Sequence, residues 1–124
     1  MKIAIPSEQP GGLDSKMCEH FGICPLFTII TLKENDVVSE EILSNPHDGC
    51  GNCNQLIEFL SLQKIQYVIT QKIGLYPLNI MNRFSISVLM AERKSSVRNA
   101  LNMYMKNQLS AYPARNTCSG ECGC

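Results

Sequence analysis

Seven cysteines and two histidines carry most of the chemical capacity of this 124-residue chain. Cys50-x2-Cys53 sits with His47 in one seven-residue stretch, and Cys118, Cys122 and Cys124 fall in the last seven residues. Cys18 and Cys24 stand apart, with His20 between them. Thiolates are soft ligands that select zinc, Cu(I) or iron–sulfur centres over magnesium or calcium. Two ligation readings follow. Cys50 and Cys53 with two tail thiols can close a tetrahedral zinc site. The same thiols can instead hold an iron–sulfur or mixed-metal sulfide cluster, with His20 or His47 as an added ligand. Spacing alone does not separate the two. A third reading is redox, because Cys-x2-Cys at a helix start has the geometry of a thioredoxin-type dithiol. The flanking residues do not support that family, and the reading leaves the tail thiols unused.

Plainer roles compete at each position. Cys18 and Cys24 also fit small core residues, since free cysteine is often buried. His20 and His47 also fit loop residues that hydrogen-bond backbone. Cys53 falls on the apolar face of a helix. No apolar pattern surrounds Cys118, Cys122 and Cys124, so a core role fits them poorly. Their plain alternative is a tail that takes up metal without specificity.

Composition narrows the class. Eleven basic and eleven acidic residues give a formal net charge of zero. That argues against nucleic acid as a partner, which calls for a basic excess or stripe. The apolar run Ile3-Ala4-Ile5 is too short for a signal peptide or a membrane span. Cytoplasm is therefore expected, where cysteines serve as ligands or redox groups rather than disulfide staples. No G-x-G-x-x-G, G-x-x-x-x-G-K-[ST] or G-x-S-x-G motif occurs, and no set of nucleophile, base and oxyanion donors stands out. The expectation is a protein that is not an enzyme.

The elements that must position these thiols can be read from periodicity. Lys2–Ile5 is a strand stopped by Pro6, Leu26–Leu32 a β-rich run, and Glu34-Asn35-Asp36 a turn that returns Val37–Leu43 as an antiparallel partner. Asn52 as cap and Gln55 three residues on mark a helix over 53–63, with Cys53, Leu56, Ile57 and Leu60 on one face. Cys53 then lies in a first turn, where the helix dipole favours a thiolate. Gly49 and Gly51 allow a tight entry. Residues 66–70 and 85–89 read as strands, Leu75–Arg83 as a short helix blurred by Pro77. A third helix starts near Ser95, with Val97, Ala100, Leu101, Tyr104 and Gln108 on one face and Met105 beside it. The alternation implies a mixed α/β sheet with parallel crossovers, whose strand carboxyl ends are the place for ligands. One domain over 1–109 and a Cys-rich tail over 110–124 are expected.

Met1-Lys2-Ile3-Ala4-Ile5-Pro6, then Glu19-His20-Phe21-Gly22 with Pro25 and Phe27, resemble the opening of the dinitrogenase iron–molybdenum cofactor biosynthesis family. Val37–Glu41, Asn45-Pro46, Tyr67-Val68-Ile69, Ile73-Gly74 and the helix after Ser95 follow in order. Some members carry a tail like Cys118–Cys124. The sequence departs at Thr70-Gln71-Lys72, where the family has a small, Gly-rich run, and at Pro77, two residues late after Gly74. The resemblance implies a ribonuclease H-like fold and a carrier of an iron–sulfur or molybdenum–iron–sulfur cluster, with cluster donor and acceptor proteins as partners. It also implies His20 as a cluster ligand. Cys50, Cys53, Cys118, Cys122 and Cys124 are the other expected cluster ligands, with His47, Cys18 and Cys24 in the wider metal set and zinc as the alternative metal.

Overall fold

The structure, a computed structural model, describes residues 1–45 and 53–117. The expected ligands His47, Cys50, Cys118, Cys122 and Cys124, and the Cys53 side chain, lie outside the described residues.

Six strands form one mixed sheet: β1 (Lys2–Ser7), β2 (Leu26–Lys33), β3 (Asp36–Ser44), β4 (Tyr67–Thr70), β5 (Ser87–Met90) and β6 (Ser110–Ala111), in the order β3-β2-β1-β4-β5-β6. β1, β4 and β5 run parallel, while β2 and β6 run opposite to their neighbours. Three α-helices accompany it among the described residues: α1 (Cys53–Leu62), α2 (Leu75–Arg83) and α3 (Val97–Met105). The β2–β3 hairpin is closed by Glu34 and Asn35 at φ 54° and 70°. Two left-handed residues in a two-residue loop match the twist of the strands they join.

The pleat divides the core. Ala4, Phe27, Ile29, Val68 and Val88 face Leu56, Ile57 and Leu60 of α1 and Leu78, Ile80 and Met81 of α2. Ile3, Ile5, Ile30, Leu32 and Ile69 face Val97, Ala100 and Leu101 of α3. Successive strand residues point to opposite faces, so one sheet serves two apolar layers.

Several boundaries moved from expectation. Pro6 lies inside β1, paired with Phe27, and the ladder to β4 is made at Ile3 and Ala4 before the missing N–H matters. Pro77 is the third residue of α2, where its N–H would have no partner within the helix. β5 begins at Ser87, two residues late. Ser85 sits at φ 61° and its N–H reaches Asn82 O, while the N–H of buried Ile86 reaches Met81 O at 2.9 Å. This closes α2 with a Schellman motif. The same closure ends α3, with Asn107 at φ 57° and the Gln108 N–H on Met103 O at 2.9 Å. Gln108 is therefore beyond α3 rather than on its apolar face. The sheet also continues past residue 109. Ser110–Ala111 pairs with β5, and Tyr112 is buried against Val88.

Candidate functional site

The parallel strands β1, β4 and β5 end at Ser7, Thr70 and Met90, which defines one carboxyl edge. Leu26 pairs with Ser7, and Ser44 pairs with Leu26, so β2 starts and β3 ends at this same edge. The turn Cys18–Cys24 folds over it. The Cys18 N–H donates to Pro6 O at 2.9 Å. The Phe21 N–H donates to Lys72 O and the Lys72 N–H to Glu19 O, both at 3.0 Å, so His20 bridges the segment that follows β4. Lys72 Nζ closes an ion pair with Glu19 at 2.8 Å. Both side chains are well exposed, and such a pair contributes about 0–1 kcal/mol. The backbone ties hold the turn.

Within the turn both thiols hydrogen-bond backbone carbonyls. Cys18 Sγ donates to His20 O at 3.6 Å, and Cys24 Sγ donates to the adjacent Phe21 O at 3.1 Å. Cys24 is buried with Phe21 and Phe27, while Cys18 is half-buried. Asn45 Nδ2 donates to Cys24 O at 2.8 Å and tethers the end of β3 to this turn. A hydrogen bond from the Cys24 thiol stabilises a Cys18 thiolate and lowers its pKa from the ordinary 9.0 to about 7, against the opposing effect of burial. The partner thiol pays in the opposite sense: that same hydrogen bond, then burial, push the Cys24 pKa up.

A depressed Cys18 pKa contributes stability that is present above pH 9.0 and lost as pH falls through about 7. The raised Cys24 pKa acts oppositely above pH 9.0, where the unfolded thiol ionises and the folded one does not. Alkylation of Cys18 by iodoacetamide is accordingly expected to rise with a midpoint near pH 7. A midpoint near 9.0 would show that Cys24 gives the thiolate no support.

The other described segments meet at this edge too. Asn54, in the first turn of α1, donates from Nδ2 to Tyr76 OH at 2.8 Å, and Tyr76 lies in the first turn of α2. Tyr112 OH donates to Gln71 O at 2.9 Å, and Asn116 Nδ2 reaches Met90 Sδ at 3.3 Å. A cleft of about 470 Å³ opens between Glu19, Gln71, Lys72, Tyr112 and Asn116. A second, of about 420 Å³, lies between Lys16, Glu19, Arg93 and Lys94.

Of the expected site residues, Cys18, His20 and Cys24 share one turn at the expected edge. Among the described residues no three His, Cys, Asp or Glu side chains gather as a metal site. Tyr112 is not singled out by the sequence, and Asn45 enters there only within the family-like Asn45-Pro46. No pattern around Asn45 points to a tether on Cys24, and Tyr112 is one aromatic residue without a period around it.

The family model described as dinitrogenase iron–molybdenum cofactor matches residues 1–107. The chain belongs to that family. Solved structures share its fold at low identity. The apo form of the orange protein of Desulfovibrio gigas superposes with a TM-score of 0.80 at 19% identity, over 90% of this chain and 92% of that one. The Thermotoga protein TM1290 gives 0.75 at 21% identity, over 97% of each chain. Methanocaldococcus jannaschii MJ0327 gives 0.72 at 20% identity, over 90% and 94%. No match was found among curated protein sequences. Among the described residues of this dinitrogenase cofactor family member, no helix is long and apolar enough to cross a membrane.

Proposed function

We propose that this protein binds and carries a metal–sulfur cluster, of iron–sulfur or molybdenum–iron–sulfur type, in the cytoplasm and without enzymatic turnover. The observation that carries the reading is the rooting of both thiol-bearing segments at one edge. Asn45 and Asn54 flank the segment with Cys50 and Cys53, and both are hydrogen-bonded at the carboxyl edge. Asn116, just before Cys118–Cys124, contacts Met90 at the end of β5. Cys50 lies five positions after Asn45, and Cys122 five positions after Thr117. Cys50 and Cys122 are therefore within about 18 Å of these anchors along an extended chain.

The chemistry of that donor set suits the cargo. Thiolates take soft iron, molybdenum and copper centres, and the family's name is that of an iron–molybdenum cofactor. Cys50, Cys53, Cys118, Cys122 and Cys124 are the principal ligands in this reading. His20 stands beside them, with His47, Cys18 and Cys24 in the wider set. Ligands on a loop and a tail suit a cluster that must be received from a donor protein and released to an acceptor. We read the strand order, with β2 reversed against β1, as ribonuclease H-like; a nuclease does not follow, because function lies in the site.

Anaerobic purification with metal and acid-labile sulfide analysis tests the proposal. Iron or molybdenum with stoichiometric sulfide is expected. About one zinc per chain, colourless and without sulfide, would replace the carrier by a structural zinc site.

A further inference from the structure

Among the described residues the sheet ends on one side at the two-residue β6 and on the other at the nine-residue β3. One bond sets the direction of the β3 backbone groups. The Asn45 N–H donates to Pro25 O, beside the start of β2, at 3.0 Å. Backbone groups along an antiparallel strand alternate in direction, so Leu43, Glu41 and Ser39 turn their N–H and C=O toward β2. Those of Ser44, Ile42 and Glu40 then turn outward, and among the described residues no loop or turn backbone bonds them.

Open edges are commonly blunted by a bulge or by charge. Here the bulge leaves Val38 unpaired, between Thr31 on Ser39 and Leu32 on Val37, and Ser39–Ser44 stays regular. Val38 and Ile42 are 58% and 49% exposed. The charged residues of β3 are Asp36, Glu40 and Glu41, all acidic and exposed. Glu40 and Glu41 fall on opposite faces, so the edge is negative on both. Glu40 is held in place, because its Oε2 accepts the Leu13 N–H at 2.9 Å. A second copy of the chain would bring these carboxylates near their own kind, and like charges across a ladder repel. Cations across the ladder attract them.

We propose that β3 docks an extended segment of a partner protein as an added strand, with lysine or arginine opposite Glu40 and Glu41 and an apolar residue opposite Ile42. The outward backbone groups of Glu40, Ile42 and Ser44 supply the attachment, and the two carboxylates select the partner. The docking does not rest on the cluster reading.

The probe is the capped synthetic peptide Thr-Val-Val-Lys-Lys-Thr-Val, whose antiparallel register sets its lysines against Glu41 and Glu40. It is added in excess to the ¹⁵N-labelled full chain, and amide hydrogen exchange is followed by NMR. Exchange at Glu40, Ile42 and Ser44 is expected to slow by at least about tenfold, while Glu41 and Leu43, already turned to β2, stay unchanged. Glu41→Lys is expected to weaken the peptide about tenfold, and a peptide with glutamate in place of the first lysine to restore binding to that variant. Methylating the backbone nitrogen of the third peptide residue, opposite Ile42, is expected to remove the protection. Unprotected Glu40, Ile42 and Ser44, equal protection by a Glu-Glu peptide, or an undiminished effect after methylation would overturn the proposal. Protection that rises with protein concentration in the absence of peptide would overturn it in favour of a second copy. The wild-type measurement decides even if the variant fails to fold.

Discussion

Replacing Phe21 by alanine is expected to cost about 3–5 kcal/mol, the usual loss for deleting a fully buried aromatic ring. Phe21 is 0% exposed and packs at 5.7 Å and 53° against Phe27. That pair adds about 0.5–1.5 kcal/mol beyond area burial. The loss is a large part of the roughly 5–15 kcal/mol that holds a domain of this size. The melting temperature is expected to fall by about 10–20 °C. The effect has a functional side. The Phe21 ring is the apolar anchor between the two thiols of the turn, and its N–H ties that turn to Lys72 O. The variant should therefore also lose the difference in alkylation rate between Cys18 and Cys24 at temperatures where it is still folded. A fall of less than about 3 °C in a thermal denaturation monitored by circular dichroism would show that the ring does not anchor the turn.

Much of the scaffold was legible because its signals are local. The 3.6 period of Leu56, Ile57 and Leu60 and the apolar run Leu26–Leu32 identified α1 and β2, and the structure buries these residues. What was hidden has two physical causes. Helix ends here use Lys64, Ser85 and Asn107 at positive φ instead of glycine. The usual stop signal is thus missing, and Ser85-Ile86 reads as the start of a strand. The apolar Ile65 and Ile86 after these residues belong to helix closure, where they are buried over the last turn. The second cause is distance along the chain. Nothing near Tyr112 announces that its hydroxyl will meet Gln71 O, a contact across 41 residues. Likewise the Asn45 bond to Cys24 O spans 21 residues and is invisible to any periodicity. At the site, Glu19-His20-Phe21-Gly22 carries the family resemblance, which implies His20 as a ligand. The backbone adds a further reason for the segment: the N–H and C=O groups around His20 build the bridge to Lys72.

The Cys50→Ser/Cys53→Ser double variant is expected to lose bound cluster while the domain stays folded. Removing two thiolate ligands should lower retention by more than about 100-fold, the upper end of what changes in outer-shell partners cost. Folding should be spared, because α1 is held by Leu56, Ile57 and Leu60 at 0% exposure, one or two turns further on. Substitutions away from such contacts stay within about 0.5 kcal/mol. Iron, molybdenum and sulfide analysis beside circular dichroism reads both quantities on one sample. The combination matters more than either value. Lost metal with an unchanged melt is the signature of cargo. Lost metal with a collapsed melt is that of a structural zinc centre, whose binding free energy is folding free energy. Full retention of cluster in the double variant would remove Cys50 and Cys53 from the ligand set and defeat the assignment.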